Sequence, residues 1–195
     1  MNDSSLRTNE PEGASWVSDG DGIHDRTLEK NWLFPLARRR FRSLSSGKTH
    51  DFYVMDLTSA VHIVALTSDD EVVLVRQFRA GSERDSLETP GGLLEEGEDP
   101  CKAGPRELLE ETGYAGDPPE SLGTVWSNPA ITTSRSTTII VRNARKIAEP
   151  KFDPSEELNI ELVPVADIPR MIEDGRIDHA LVVVGLMRWL ATRPR

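Results

Sequence analysis

Acidic residues recur at fixed spacing in residues 91–114, which read GGLLEEGEDPCKAGPRELLEETGY. In a helix that advances about 100° per residue, Glu107, Glu110 and Glu111 share one arc roughly 100° wide. Three carboxylates on one arc repel one another, and a bound cation would relieve that repulsion. Oxygen ligands without His or Cys neighbours suit Mg²⁺ or Mn²⁺ better than zinc. The spacing therefore predicts an acidic helix face that binds a divalent cation, against the alternative of a solvated surface.

The ends of this helix carry recognisable signals. Asp99 is a candidate N-cap, Pro100 suits the first helical position, and Gly113 suits a left-handed C-cap. Pro105 is a departure, because proline in a helix interior removes a backbone donor and costs about 3 kcal/mol. The sequence thus predicts either a late start, near Gly104, or a kinked helix.

The remaining helix positions divide between packing and ligand access. One face can pack against the rest of the protein; it consists of Cys101, Pro105, Leu108, Leu109 and Thr112. Ala103 and Gly104 border the acidic face, where their small size leaves room for a ligand. Arg106 stands four residues before Glu110, which is close enough for the two side chains to pair.

This segment resembles the Nudix box, whose pattern is G-x5-E-x7-R-E-U-x-E-E-x-G-U with U a bulky apolar residue. The matching positions are Gly92, Glu98, Arg106, Glu107, Leu108, Glu110, Glu111 and Gly113, with Tyr114 in the last apolar slot. So many fixed positions make the signal specific. The resemblance implies metal-dependent hydrolysis of a nucleoside diphosphate linked to another group, giving a nucleoside monophosphate and the phosphorylated group.

The resemblance also assigns roles to residues. Mg²⁺ is the expected cofactor, with Mn²⁺ as the alternative, and its predicted ligands are the Gly91 carbonyl, Glu98, Glu107, Glu110 and Glu111. The predicted catalytic residues are Arg106, Glu110, Glu111 and Glu156. Arg106 would orient the glutamates through charge-assisted hydrogen bonds. Three residues are candidates for the general base: Glu110, Glu156 and Glu157.

Apolar, β-branched runs predict the elements that position this helix. Residues 60–67 and 71–78 indicate central strands buried on both faces. Residues 121–126, 135–143 and 161–165 indicate further strands, and residues 178–192 a C-terminal helix with an apolar face. The order matches an α/β protein of the Nudix type, an α/β/α sandwich with a mixed β-sheet, plus a small N-terminal antiparallel sheet.

The chain divides into three predicted regions. Residues 1–27 are polar and predict a flexible tail. Residues 28–57 predict a β-hairpin or sheet region that turns at Gly47. Residues 58–195 form the predicted Nudix domain.

A second stretch resembles the ADP-ribose pyrophosphatase and nucleotide-sugar hydrolase subfamily. VRQFRAGSERDSLETPGG is similar to that subfamily's VRQYR…LELPAG, which implies that Arg79 and Glu88 line the substrate site. Pro129, sixteen residues after Gly113, is associated with the same group. Arg135 is a candidate phosphate contact and Trp32 a candidate for base stacking. The resemblance also implies a homodimer.

Composition restricts the partners. The net charge of −10 argues against a nucleic-acid or anionic-membrane surface. The single cysteine, Cys101, excludes an internal disulfide, and no apolar stretch is long enough to span a membrane. We therefore expect a cytoplasmic protein with a small-molecule substrate.

Two alternatives stay open. The substrate of the same reaction could be a dinucleoside polyphosphate or a nicotinamide dinucleotide. The chain could also be a catalytically silent nucleotide-sugar sensor, although such domains generally lack carboxylates of the box and this one retains them all.

Overall fold

The structure is a computed structural model that describes residues 16–18, 26–30, 34–151 and 157–193. These residues fall into two compact units. The first comprises the described parts of Met1–Leu57 together with Asn128–Thr133. The second comprises Thr58–Ser127 and the described part of Ser134–Arg195, and it contains the acidic helix.

The first unit contains a small antiparallel sheet, as predicted. Its strands are β1 (Trp16–Ser18), β2 (Arg26–Lys30), β3 (Pro35–Ser43) and β4 (Thr49–Met55). β1 and β2 pair with β3, and β4 forms a hairpin with it. Gly47 takes φ 68° in the turn, a left-handed conformation that favours glycine.

Part of the predicted flexible tail is strand. Residues 16–18 and 26–27 fall within residues 1–27, yet they hydrogen-bond to β3 along its length. Backbone pairing with a neighbouring strand does not require the apolar content on which the sequence prediction relied. The other residues of the predicted tail lie outside the described part of the chain.

A mixed sheet forms the centre of the second unit. Its strands are β5 (Ala60–Thr67), β6 (Glu71–Arg79), β7 (Arg84–Glu88), β8 (Gly91–Leu93), β9 (Tyr114–Ala115), β10 (Glu120–Trp126), β11 (Arg135–Lys146) and β12 (Asn159–Pro164). The main order is β10-β11-β5-β6-β12, with β7 beside β6, β8 beside β5 and β9 beside β11. β11 and β5 run parallel and the other pairs are antiparallel.

Helices cover both faces of this sheet. The helices are α1 (Pro100–Thr112), α2 (Ile168–Glu173) and α3 (Ala180–Thr192), with a 3-10 turn at Val165–Asp167. Val61 and Ile63 of β5 pack in the core under α1, whereas Val64 packs in the core under α2 and α3. Alternate residues of a strand point to opposite faces, so β5 is buried on both. The result is the α/β/α sandwich that the sequence predicts.

The C-terminal helix confirms its predicted apolar face. Val182, Leu186 and Trp189 of α3 are buried in the core, whereas Met187 on the other side is half exposed. Spacings of four and three residues put the buried side chains on one stripe. No helix within the described ranges is both long and apolar enough to cross a membrane.

Candidate active site

The acidic helix α1 is fixed at both ends by the predicted caps. The Asp99 carboxylate accepts the Cys101 backbone N–H at 2.9 Å, and Pro100 occupies the first turn. At the other end, Gly113 adopts φ 74° and its N–H donates to the Leu109 carbonyl at 2.9 Å. The caps satisfy backbone groups that a helix end otherwise leaves without partners.

Pro105 does not delay the start of the helix. The helix begins at Pro100 and continues through Pro105 to Thr112. Of the two predicted alternatives, a late start near Gly104 and a kink, the late start is therefore wrong. The N-terminal caps, and the packing of Ala103 in the core, hold the turn that proline weakens.

The three carboxylates of the acidic arc have different surroundings. The Glu111 residue is 6% exposed, whereas the side chains of Glu107 and Glu110 are 16% and 46% exposed. Glu111 accepts the Gly91 backbone N–H at 3.0 Å, which compensates part of the cost of burying a carboxylate. The acidic arc thus has a fixed, buried carboxylate at Glu111 and a carboxylate that water reaches freely at Glu110.

Arg106 lies among three of the predicted ligands. Its guanidinium is 2.9 Å from a carboxylate oxygen of Glu107, 3.1 Å from one of Glu110 and 3.6 Å from one of Glu98. Partial burial alone would lower the pKa of Arg106, but the charges of these glutamates outweigh it and raise the pKa. Arg106 therefore stays charged and offsets the repulsion between the carboxylates.

Gly91 and Gly92 let neighbouring groups come close to the backbone of β8. A Cβ on Gly92 would lie 2.3 Å from the Glu107 carboxyl carbon, and one on Gly91 would lie 2.3 Å from the Val61 carbonyl oxygen. Any larger residue at Gly92 would displace the Glu107 carboxylate. The two glycines thus allow β8 to lie between β5 and the acidic face of α1.

Glu98 lies in the loop that precedes α1, beside an open cleft. Its carboxylate accepts the Glu95 backbone N–H at 3.0 Å. The cleft has a volume of about 500 Å³ and is lined by Thr58, Ser59 and residues 94–98. It gives a ligand access to the predicted metal ligand Glu98.

Ala103 and Gly104 do not leave room for a ligand, so that prediction is wrong. Both are buried, and a Cβ on Gly104 would lie 2.3 Å from Cδ1 of Ile139. The small residues serve instead for close packing of α1 on β11. Helical periodicity placed them beside the acidic arc but could not show how closely the sheet approaches.

Arg79 and Glu88 form a paired unit. The Arg79 guanidinium donates two hydrogen bonds to the Glu88 carboxylate, at 2.8 and 2.7 Å, and Glu88 is 1% exposed. Burial alone would raise the pKa of Glu88, but the hydrogen bonds and charge of Arg79 hold it below its ordinary value. Arg79 also lines a second cleft of about 440 Å³, together with Ser86 and His179.

A buried histidine lies close to this pair. His62 is 8% exposed, and burial, followed by the charge of His179, lowers its pKa to about 4. Its Nδ1 atom has no hydrogen-bond partner within the described residues. His62 is therefore neutral at pH 7.

Arg135 lies at the start of β11, and its guanidinium carbon is 5.2 Å from the centre of the Trp126 ring. No role was predicted for Trp126 from the sequence. Trp126 ends a predicted strand, but only the pairing of β10 with β11 brings it to Arg135. Two predicted site residues, Trp32 and Glu156, lie outside the described residues.

The predicted metal ligands are of the chemical type that magnesium prefers, but their side chains are not arranged around one point. Every predicted side-chain ligand is a carboxylate, as Mg²⁺ prefers. No three His, Cys, Asp or Glu side chains converge on one point in the parts of the chain that the structure describes. Arg106 contacts Glu107 and Glu110, and the Gly91 N–H donates to Glu111; these three carboxylates would hold the ion.

The fold and the arrangement of the box define a Nudix protein. A profile described as the NUDIX domain matches residues 56–183, and the chain belongs to this family of pyrophosphohydrolases. An ADP-ribose pyrophosphatase of Escherichia coli O6:H1 is 29% identical over 186 residues, covering 89% of this chain and 88% of its own. One of Bacillus subtilis is 25% identical over 174 residues, covering 81% and 88%.

A solved structure supports the fold independently. A crystal structure of an ADP compounds hydrolase superposes with a TM-score of 0.76. The match covers 87% of this chain and 91% of that one, at 23% sequence identity.

Proposed function

We propose that this protein hydrolyses the diphosphate linkage of ADP-ribose or a related nucleoside diphosphate sugar, with Mg²⁺ as cofactor and Mn²⁺ as the alternative. The products are a nucleoside monophosphate and a sugar phosphate. One observation carries the proposal: Arg106 contacts Glu98, Glu107 and Glu110, while the buried Glu111 is bound to Gly91. Three glutamates of the box thus contact one guanidinium, and the fourth, Glu111, is fixed beside β8.

The carboxylates would hold the cofactor. Glu107 and Glu111 are the principal ligands, with Glu110, Glu98 and the Gly91 carbonyl in support. When bound, a divalent cation screens the diphosphate charge and lowers the pKa of the attacking water. Mg²⁺ binds carboxylates through few protein ligands and keeps several waters, so a partly assembled set is sufficient.

The other residues of the chain would orient groups and move a proton. Arg106 positions Glu107 and Glu110 through its ion pairs. Glu110 is half exposed, so it can accept a proton from water and return it to solvent. Glu156 and Glu157 are the other candidates for the general base, and Glu157 is exposed.

The substrate is inferred from the relatives and from the cationic residues. Relatives from Escherichia coli and Bacillus subtilis are named ADP-ribose pyrophosphatases, and one from Mus musculus is named an ADP-sugar pyrophosphatase. The mouse protein is 34% identical over 126 residues, covering 64% of this chain and 56% of its own. Arg79, Glu88, Arg135 and Trp32 are the proposed substrate contacts.

A panel of diphosphates tests the proposal. The purified chain is incubated with Mg²⁺ and each candidate, and a phosphatase that acts only on monoesters releases phosphate from the products. ADP-ribose and nucleotide sugars should give the highest kcat/KM. A higher value with dinucleoside polyphosphates or nicotinamide dinucleotides would replace the proposed substrate, and no release from any compound would contradict the reaction.

A further inference from the structure

An exposed aromatic residue and an arginine meet at the edge of the sheet. Trp126 and Arg135 are cross-strand partners at the ends of β10 and β11. The guanidinium carbon lies 5.2 Å from the ring centre, in the range of a cation–π contact. Trp126 nevertheless remains 55% exposed. The ring is thus held by a cation and keeps a large open surface.

Strand register puts this pair on the face of the sheet that α1 covers. Direct antiparallel partners point to the same face, and alternate residues share a face. Thr124 and Thr137, the next pair on the face of Trp126 and Arg135, have hydroxyls 2.9 Å apart. Thr137 pairs in turn with Val61, which packs in the core under α1.

The same register relates the pair to the acidic site. Val61 pairs with Gly92, which lies against the Glu107 carboxylate. Trp126 stands two residues further along the sheet and three strands away from Gly92, about 7 Å along and about 14 Å across. The side chains of Trp126 and Arg135 extend from the face of the sheet that α1 covers. A nucleoside diphosphate with its base at one end covers a span of this size.

Hydrogen bonds connect the pair to the cleft beside the box. The backbone N–H of Arg135 donates to the Ser59 hydroxyl at 3.2 Å, and that of Leu94 donates to the Ser59 carbonyl at 2.9 Å. Ser59 and Leu94 line the cleft that contains Glu98. Arg135 is therefore hydrogen-bonded to a residue that lines the cleft, and Trp126 is its cross-strand partner.

Arg135 is also a cation that no carboxylate neutralises within the described residues. In contrast, the guanidiniums of Arg79 and Arg106 are each occupied by glutamates. In a chain of net charge −10, a cation beside an acidic site helps to hold an anionic ligand.

We propose that Trp126 and Arg135 form the binding platform for the nucleobase, an inference that rests on the function proposed above. The base stacks on the open surface of Trp126, because every base has a π-face that an aromatic ring can contact. Arg135 fixes the ring from its other side and donates to the adjacent phosphate. Trp126 then determines affinity for the nucleoside half of the substrate without taking part in the chemistry.

Kinetics of single variants test the platform. Trp126→Ala should raise KM for ADP-ribose about 5- to 150-fold, the range expected for losing one base–aromatic stack, and should change kcat little. Trp126→Phe keeps an aromatic face and should recover most of the affinity. Phe78→Ala removes another exposed aromatic ring, which is not part of the pair of Trp126 and Arg135, and should leave KM unchanged. Equal KM values for wild type and Trp126→Ala would overturn the proposal.

Binding of AMP in EDTA separates this proposal from the reaction. Calorimetry should show that AMP binds the wild type and that Trp126→Ala weakens it by the same factor as KM. If the wild type hydrolyses nothing but AMP binding still depends on Trp126, the platform stands and the proposed function fails. If AMP does not bind the wild type, or binds both proteins equally, the platform is wrong even when hydrolysis is observed.

Discussion

The Glu111 carboxylate accepts the backbone N–H of Gly91 at 3.0 Å and so joins the end of α1 to the short strand β8. Glu111 is buried, whereas its neighbour Glu110 is half exposed. A buried carboxylate is costly unless hydrogen bonds compensate it. The bond to Gly91 therefore positions one oxygen donor of the acidic face before a ligand arrives.

Replacing Glu111 by Gln should remove most Mg²⁺-dependent hydrolysis and preserve the fold. The amide oxygen can still accept the Gly91 N–H, but the negative charge is lost. We expect kcat/KM to fall at least about 100-fold, since metal charge stabilisation is worth several kcal/mol. Steady-state assays measure the loss, and Glu173→Gln at an exposed site is the matched control. Activity within about threefold of wild type would refute the role of Glu111.

Gly92→Ala should disturb the Glu107 carboxylate directly. The added Cβ would lie 2.3 Å from the Glu107 carboxyl carbon, so that side chain must move away. We expect hydrolysis to fall at least about tenfold, while the free energy of unfolding changes by less than about 1 kcal/mol. Gly81→Ala meets no atom within 4 Å and should leave activity intact. Equal activity of the two variants would contradict the placement of Glu107.

Arg79→Met should destabilise the protein, because it leaves the buried Glu88 carboxylate without its bidentate partner. The Arg79 side chain is itself 45% exposed, so we expect a loss of about 2 kcal/mol, the cost of leaving a buried acceptor without its partner. Arg84→Met is the control: it breaks an exposed pair with Asp178, which is worth at most about 1 kcal/mol. Urea unfolding at pH 7 measures both losses, and equal losses would show that the pair of Arg79 and Glu88 behaves as a surface contact.

The pH dependence of the Arg79→Met effect follows from the pKa of Glu88. The folded-state pKa lies below its ordinary value of 4.5, so the stabilisation is present above pH 4.5 and is lost as the pH falls through the lowered pKa. The difference between wild type and Arg79→Met should therefore narrow below pH 4.5. A difference that stays constant down to pH 3 would contradict the ionised pair.

His62 should make the protein less stable in mild acid. Its pKa is lowered from 6.5 to about 4, so between these values the unfolded chain binds a proton that the folded chain does not. The free energy of unfolding should fall by about 3 kcal/mol from pH 6.5 to pH 4 on this account. His62→Leu should remove that part of the slope, and the exposed His50→Gln should keep it. Identical slopes in wild type and His62→Leu would disprove the burial effect.

The local pattern predicted most of α1 because its signals are close in sequence. Asp99, Pro100 and Gly113 act on neighbouring backbone groups, so both caps were predicted from spacing, although Pro105 left the start of the helix open. The apolar, β-branched runs likewise located β5 and β6, which are buried as predicted.

Features that depend on distant strands could not be predicted. Periodicity put Gly104 beside the acidic arc, but only the approach of Ile139 on β11 shows that it is a packing position. The contact between Trp126 and Arg135 depends on the pairing of β10 with β11. Register between strands depends on side chains across the whole sheet, so the local pattern of one sequence does not predict it.

Product analysis of Glu107→Gln beside wild type tests the central hypothesis most directly. ADP-ribose is incubated with each protein in Mg²⁺ or in EDTA, and the nucleotides are separated by chromatography. Wild type in Mg²⁺ should give equal amounts of AMP and ribose 5-phosphate. Neither product should form in EDTA, and Glu107→Gln should form little of either because it lacks a charged ligand. AMP formation that persists in EDTA, or at the wild-type rate in Glu107→Gln, would contradict a metal-dependent diphosphate hydrolase at this site.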